Sequence, residues 1–223
     1  MKKKNLALFD LDDTLFDGDT EGEWVKYMDQ AGLIQDPEFF NEMESFGKSY
    51  RQGDLNVDEY SEFLLSPLVG KNLKELEDKI DIFTSDVIDR LTDELTEELL
   101  LKHRDDTKIL TSGSLTFLVK VIGHKMGIET CFGTDPEYKD NVFTGKVEGS
   151  PNFSEEKVRR IKIWMQSNHF EKIFAYSDSI HDLPLLEFSD IPSAISPDKK
   201  LLKVAEERKW IVEGRRNTTR SLP

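Results

Sequence analysis

The stretch Leu6-Ala7-Leu8-Phe9-Asp10-Leu11-Asp12-Asp13-Thr14-Leu15 decides how the chain reads. Its apolar half has the composition of a short strand buried on both faces. Its acidic half places three carboxylates within four residues, where the strand meets a loop. If the extended backbone continues past Phe9, Asp10 and Asp12 share a face. Charges this close repel, so the cluster calls for a divalent cation or a proton shared between acids. Slightly downstream, Asp17-Gly18-Asp19-Thr20-Glu21-Gly22 has the opening of a calcium-binding loop. Its twelfth position is Met28 rather than Glu and no helix precedes it, which argues against that use.

Between residues 21 and 101 the pattern is helical with almost no strand signal. Trp24, Met28 and Ala31 recur at helical spacing and stop at Gly32. Pro37 opens a second helix carrying Phe39, Phe40, Met43 and Phe46 up to Gly53. Further helices are expected over 58–65, over 71–82, and through Val87, Leu91, Leu95 and Leu99 toward His103. Strands and helices then alternate. A strand at 108–111 runs into Ser112-Gly113-Ser114, followed by a helix over 115–126, a strand at 129–132 and a hairpin over 138–147. Ser154 is the expected N-cap of a helix carrying Val158, Ile161, Ile163 and Trp164. A strand at 173–176 ends at Ser177-Asp178; then come a helix at 183–188, a strand at 192–195, a helix at 198–208 and a strand at 210–212. Residues 214–223 read as a basic, polar tail expected to fray from the core.

Such alternation predicts an α/β fold, a doubly wound parallel sheet covered on both faces. Residues 1–16 and 89–223 would form this core, and residues 17–88 a helical insertion after the first strand. Ligands of such sheets bind outside the carboxyl ends of the strands. Three of these strands end in polar signatures: Asp10-Leu11-Asp12, Ser112-Gly113, and Ser177-Asp178 with Asp182 beyond.

The 223 residues carry 30 basic and 44 acidic side chains, a net charge of −14. That argues against a nucleic-acid partner, which wants a basic stripe. A small phosphorylated partner stays compatible, because a bound metal reverses the local field. No apolar run is long enough to span a membrane, and the run behind Met1-Lys2-Lys3-Lys4 breaks at Asp10, too early for a signal peptide. A single cysteine, Cys131, rules out an intramolecular disulfide and suits a reducing cytoplasm. A monomer or homodimer is expected.

Asp10-Leu11-Asp12-Asp13-Thr14, with Ser112, Lys157 and Asp178…Asp182 in that order, resembles the four motifs of the haloacid dehalogenase-like phosphohydrolase superfamily. The helical insertion resembles the cap of its phosphoserine-phosphatase-like branch. Phe9-Asp10-Leu11-Asp12, Gly53-Asp54-Leu55-Asn56-Val57 and the run from Tyr176 to Leu186 are closer still to bacterial histidinol-phosphatase-like members.

The resemblance implies Mg²⁺-dependent phosphomonoester hydrolysis, with phosphotransfer as in mutases the alternative on the same motifs. Asp10 would be the nucleophile and Asp12 the general acid and base. Mg²⁺ would bind Asp10, the carbonyl of Asp12 and Asp178. Ser112 and the N–H of Gly113 would hold phosphate oxygens, with the Thr111 hydroxyl as the alternative register. Lys157 would neutralise the phosphate, with Lys146 as the fallback, and Asp182 would orient Lys157 or a metal-bound water.

Substrate choice would come from the cap. Phosphoserine phosphatases use an acid nine residues beyond the nucleophile for the substrate ammonium, and Asp19 stands there. Aligning Gly53-Asp54-Leu55-Asn56 puts Glu62 where that branch has a carboxylate-binding arginine, and Arg51 falls out of register. Glutamate there would repel a carboxylate. A phosphorylated amine such as histidinol phosphate suits Asp19, Glu21, Glu23 and Glu62 better. His181, between the motif acids, is a further candidate substrate contact.

Overall fold

The computed structural model describes residues 4–166 and 168–215; the first three residues, residue 167 and the tail from 216 onward lie outside them, so of the tail expected to fray only residues 214 and 215 are described. Strand β1 (Leu6–Phe9) leads into helices α1 (Thr20–Gln30), α2 (Phe39–Gln52), α3 (Val57–Leu65) and α4 (Leu73–Leu91). Then follow α5 (Glu94–Lys102), β2 (Thr107–Leu115), α6 (Thr116–Lys125), β3 (Thr130–Thr134), and a hairpin of β4 (Pro136–Lys139) and β5 (Val142–Val147). The chain closes with α7 (Glu155–Met165), β6 (Ile173–Ser177), α8 (Leu183–Phe188), β7 (Ile191–Ile195), α9 (Lys199–Arg208) and β8 (Ile211–Glu213).

Six strands form one sheet in the order β3-β2-β1-β6-β7-β8. Every pairing in it is parallel. All four residues of β1 are fully buried, which is why its sequence is continuously apolar. Alternation sends Ala7 and Phe9 to one core with Leu118, Ile122 and the inserted helices, and Leu6 and Leu8 to another with Ile161, Leu185 and Leu201. Helices therefore cover both faces, the doubly wound α/β sheet that the alternation predicted.

The inserted helices close around Trp24, which is 1% exposed and packs against Tyr27 and Phe83 at centroid distances of 5.6 and 5.0 Å. Side chains at their starts fix the helix boundaries: Asp19 caps α1, Asn56 caps α3 and Asn72 caps α4.

Several boundaries differ from the sequence expectation. The segments expected at 71–82 and from Val87 onward share one helix, α4, which runs on to Leu91, so a core boundary at residue 89 falls inside it. The helix expected to continue through Leu95 breaks at Asp93, which accepts from Thr96 N–H at 2.9 Å while the Thr96 hydroxyl accepts from Asp93 N–H at 3.2 Å. That reciprocal cap outweighs the unbroken apolar spacing. Strand β2 continues through Ser112-Gly113-Ser114 rather than ending before them. Ser154 stands at the start of α7 with a φ of 51° and no capping bond from its side chain, and Ile163 on that helix is 50% exposed.

Backbone bonds fix the insertion at its linkers and at the hairpin. Its outgoing and returning linkers are joined by Asp17 N–H donating to Leu91 O at 2.8 Å. The β4–β5 hairpin docks on its underside, with Gly70 N–H donating to Phe143 O at 3.0 Å and Phe143 N–H to Lys71 O at 2.9 Å.

Candidate active site

Because β2, β1 and β6 are neighbours, their carboxyl ends share one edge. There β1 delivers Asp10, whose N–H donates to Tyr176 O at 3.1 Å. The chain then makes a tight loop. Asp12 is extended, Asp13 is left-handed at φ 53°, and Phe16 N–H closes the turn onto Leu11 O at 2.9 Å. Asp13 N–H bonds Gly18 O at 3.0 Å. This geometry aims Asp10 and Asp12 into the same cavity.

Asp10, Lys157 and Asp182 are all buried. The Lys157 ammonium donates to Asp10 Oδ1 at 2.8 Å and to Asp182 Oδ2 at 2.7 Å, and Ser177 Oγ donates to the same Asp182 oxygen at 2.8 Å. Burial alone would lower the Lys157 pKa, yet the two carboxylates outweigh it and hold the ammonium above its ordinary range. Burial pushes Asp10 up to about 6; Lys157 opposes the rise and Asp182 adds to it.

Asp12 is held at both oxygens. Thr20 donates to Oδ1 from its N–H at 2.6 Å and its hydroxyl at 2.5 Å, while Ser112 and Ser114 hydroxyls donate to Oδ2 at 3.2 and 3.1 Å. Burial raises this carboxyl to about 7, with Asp19 and Asp10 adding repulsion and Thr20 opposing. Across the loop, the Thr14 hydroxyl donates to Asp178 Oδ1 at 3.1 Å and accepts from Asp178 N–H at 2.9 Å. Asp178 lies well above the ordinary carboxylate range, through burial and then repulsion from Asp10 and Asp13.

These groups form the floor of a cavity of about 370 Å³. Gly113 faces it with open space: a methyl group added there would meet only Phe153, at 3.9 Å. Thr111, the alternative hydroxyl, is not on the wall; it accepts from Asn152 Nδ2 at 3.0 Å. Asn152 is fully buried and also donates to Ser112 O at 2.9 Å, so it fixes the end of β2; nothing in its sequence surroundings signals this.

The insertion supplies the roof. Met43, Phe46, Leu55 and Val57 make an apolar wall, and Asp19, Glu21 and Tyr60 an acidic corner. Asp19 is committed to capping α1, accepting from Glu21 and Gly22 N–H at 3.0 Å each. The Tyr60 hydroxyl donates to Glu21, and burial, then Asp19, raise the Glu21 carboxyl to about 8. His181 lies at the cavity edge between Tyr50 and Phe153, at centroid distances of 5.0 and 4.9 Å, and burial lowers its pKa.

The expectation for Glu62 is overturned. Ser61 and Tyr60 of α3 face the cavity, and Glu62, one position further round the helix, points to the hairpin and pairs with Lys146 at 2.5 Å. That same pair removes Lys146 as a phosphate ligand. Glu23 is likewise engaged elsewhere, with Lys26 and Arg90 at 2.7 Å each. Arg51 does line the cavity, against its expected register.

Among the described residues no three carboxylate, imidazole or thiol groups converge as a metal triad. A hard ion held by the Asp10 and Asp178 carboxylates, the Asp12 carbonyl and water needs no such triad. Burial first, and then repulsion from nearby carboxylates, raises these acids, an arrangement whose carboxylate oxygens suit such an ion.

Comparison with known proteins places the chain. A family model described as haloacid dehalogenase-like hydrolase matches residues 7–187. The chain is 33% identical over 218 residues to a histidinol-phosphatase of Neisseria meningitidis serogroup C, covering 94% of this chain and 98% of that one. It is 27% identical over 207 residues to a phosphoserine phosphatase of Methanocaldococcus jannaschii, covering 91% and 90%. A crystal structure of a Bordetella pertussis Tohama I protein of unknown function superposes with a TM-score of 0.86 at 31% identity, covering 95% and 99%.

Proposed function

Given that the chain belongs to the haloacid dehalogenase-like hydrolase family and is a phosphoric monoester hydrolase, we propose that it is a Mg²⁺-dependent phosphatase acting through an aspartyl-phosphate, with histidinol phosphate as substrate. One observation carries the mechanism: Asp10 and Asp12, in the loop that leaves β1, and Lys157, on α7, converge on the floor of one cavity.

In this reading Lys157 orients the Asp10 carboxylate, and an Asp10 oxygen attacks phosphorus as the ester P–O bond breaks. Asp12, with a pKa near 7, gives its proton to the leaving alkoxide and then takes one from the water that cleaves the acyl phosphate. The Ser112 hydroxyl, now on Asp12, and the Gly113 N–H would hold phosphate oxygens. Mg²⁺ would supply charge to offset repulsion between the nucleophile and the phosphate. Asp182 would keep Lys157 in place.

The substrate reading draws on the Neisseria relative and on the roof. An acidic corner at Glu21 beside an apolar wall suits a cationic, ring-bearing remainder. Arg51 on the same wall supports phosphoserine as a second reading, since a guanidinium there would take a carboxylate. A cytoplasmic location belongs to the proposal: the only cysteine is a buried free thiol, and among the described residues no helix is long and apolar enough to cross a membrane.

The deciding experiment is a panel of histidinol phosphate, phosphoserine, sugar phosphates and an aryl phosphate, run with Mg²⁺ and with chelator. Histidinol phosphate should be turned over fastest and chelator should stop release. Faster turnover of phosphoserine would reject the substrate, and undiminished release in chelator would reject the metal.

A further inference from the structure

Arg215 is buried despite its charge, at 8% exposed. It follows β8, and its N–H donates to Ser196 Oγ at 3.2 Å. Its guanidinium enters the crease between the sheet and the insertion. There Nη1 lies 2.6 Å from Asp93 Oδ1, Nε lies 3.7 Å from Asp17 Oδ1, and Nη2 donates to the carbonyl of Thr14.

The three partners belong to three different segments. Asp17 is on the outgoing linker of the insertion and Asp93 just beyond the returning one, next to the Asp17–Leu91 backbone bond. Thr14 is on the loop that carries Asp10 and Asp12, and its hydroxyl holds Asp178 from both sides. A guanidinium suits this junction because its fork offers donors in several directions at once, which a lysine ammonium on one flexible stem does not. A buried guanidinium needs facing carboxylates to offset its lost hydration, and two face it.

We propose that Arg215 is a positioning residue that pins both linkers of the insertion to the acid-bearing loop and thereby sets how the roof closes over the cavity. A substrate recognised by the roof needs that closure. A small aryl phosphate, which the floor alone can hold, does not. The kinetic part rests on the phosphatase reading; the clamp itself does not.

The test compares wild type, Arg215→Met and Arg215→Lys on two esters, the best natural ester of the panel and an aryl phosphate. Hydrogen exchange of amides 16–18 and of β1 is followed alongside. Arg215→Met should raise KM for the natural ester about tenfold and that for the aryl phosphate less than about twofold. The linker amides should exchange faster with β1 unchanged, and Arg215→Lys should recover part of both effects. Equal losses on the two esters, or unchanged linker exchange, would overturn the proposal in favour of a purely structural arginine. If Arg215→Met does not fold, Asp93→Asn, which keeps an oxygen for the Thr96 cap, must show the same split in smaller measure, and its absence overturns the proposal. If wild type hydrolyses neither ester, the phosphatase reading fails and linker exchange alone decides the role of Arg215.

Discussion

The substitution Glu21→Gln removes one titratable carboxyl from the roof of the cavity and almost no volume. The Glu21 carboxyl has the Tyr60 hydroxyl against it, and burial, then Asp19, lifts it from 4.5 to about 8. In the unfolded chain the same group titrates near its ordinary value. Between these two values the folded protein keeps a proton that the unfolded chain has released. Stability is therefore full below pH 4.5 and falls as pH rises toward 8, by about 1.4 kcal/mol per unit. The whole interval has a ceiling of roughly 4–5 kcal/mol. Because the group opens onto the cavity, screening brings the expected figure to about 2–3 kcal/mol. The glutamine amide stays neutral and still accepts the Tyr60 bond. In urea unfolding the variant should match wild type near pH 5 and exceed it by that amount near pH 8.5. A cationic ester would ionise Glu21 and pair with it, so the stabilised variant should bind such a substrate about tenfold more weakly. An aryl phosphate, whose leaving group carries no cation, should bind unchanged. Parallel stability curves for the two proteins across this pH range would refute the electrostatic reasoning, and an unchanged KM for histidinol phosphate would refute the recognition role.

Three further outcomes are expected. Asp10→Asn should abolish phosphate release while far-UV circular dichroism stays native; full activity would remove Asp10 as nucleophile. Lys157→Ala leaves the Asp10 and Asp182 carboxylates buried without their shared cation, and should lower stability by about 3–5 kcal/mol in urea titrations. A loss below about 1 kcal/mol would mean that the pair relaxes into water. His103 is buried between Asp106 at 2.8 Å and the Tyr176 hydroxyl at 2.7 Å, and burial, opposed by Asp106, lowers its pKa. Below its ordinary 6.5 the unfolded chain takes a proton that the folded protein refuses, so stability falls as pH drops. His103→Gln should lose this acid-side slope between pH 5 and 7, as read from unfolding midpoints.

The parts of the site legible in the sequence were those whose chemistry interrupts a pattern. Asp10 ends an apolar strand abruptly, and Asp178 does the same after Tyr176, so strand alternation alone brings them to one edge. Lys157 has no such mark: it sits on a helix among many lysines, and only motif order singled it out. The roof was harder, because it depends on helix phase. An alignment that slips by one position rotates a side chain by about 100°, which turned Glu62 outward to Lys146 and left Glu21 and Tyr60 to fill the corner. Asn152 and Arg215 gave no signal, since a polar side chain reads as surface until its partners, distant in sequence, are known. The break between α4 and α5 was locally encoded in Asp93 and Thr96, but with Thr in place of the usual Glu or Gln of a capping box.

The bonds around Asp12 connect the roof to the proton chemistry. Two of its four hydrogen bonds come from Thr20, the first residue of α1, and the other two from Ser112 and Ser114 on β2. Burial beneath the insertion raises the Asp12 pKa and the Thr20 bonds lower it, so the same helix supplies two opposing influences. A motion that lifts α1 removes both at once. The shielding is the larger influence, so in the proposed mechanism an open roof would leave Asp12 the stronger acid and a closed one would favour the proton it is to donate. On the proposed mechanism closure would do more than exclude water: it would favour the protonated form of Asp12 as a substrate is enclosed. Asp13 has a place in this scheme through its backbone. Its left-handed turn and its bond to Gly18 O fold the loop back on the outgoing linker, so the strand that leads to Asp10 and the helix that bonds Asp12 meet within a few residues of one another.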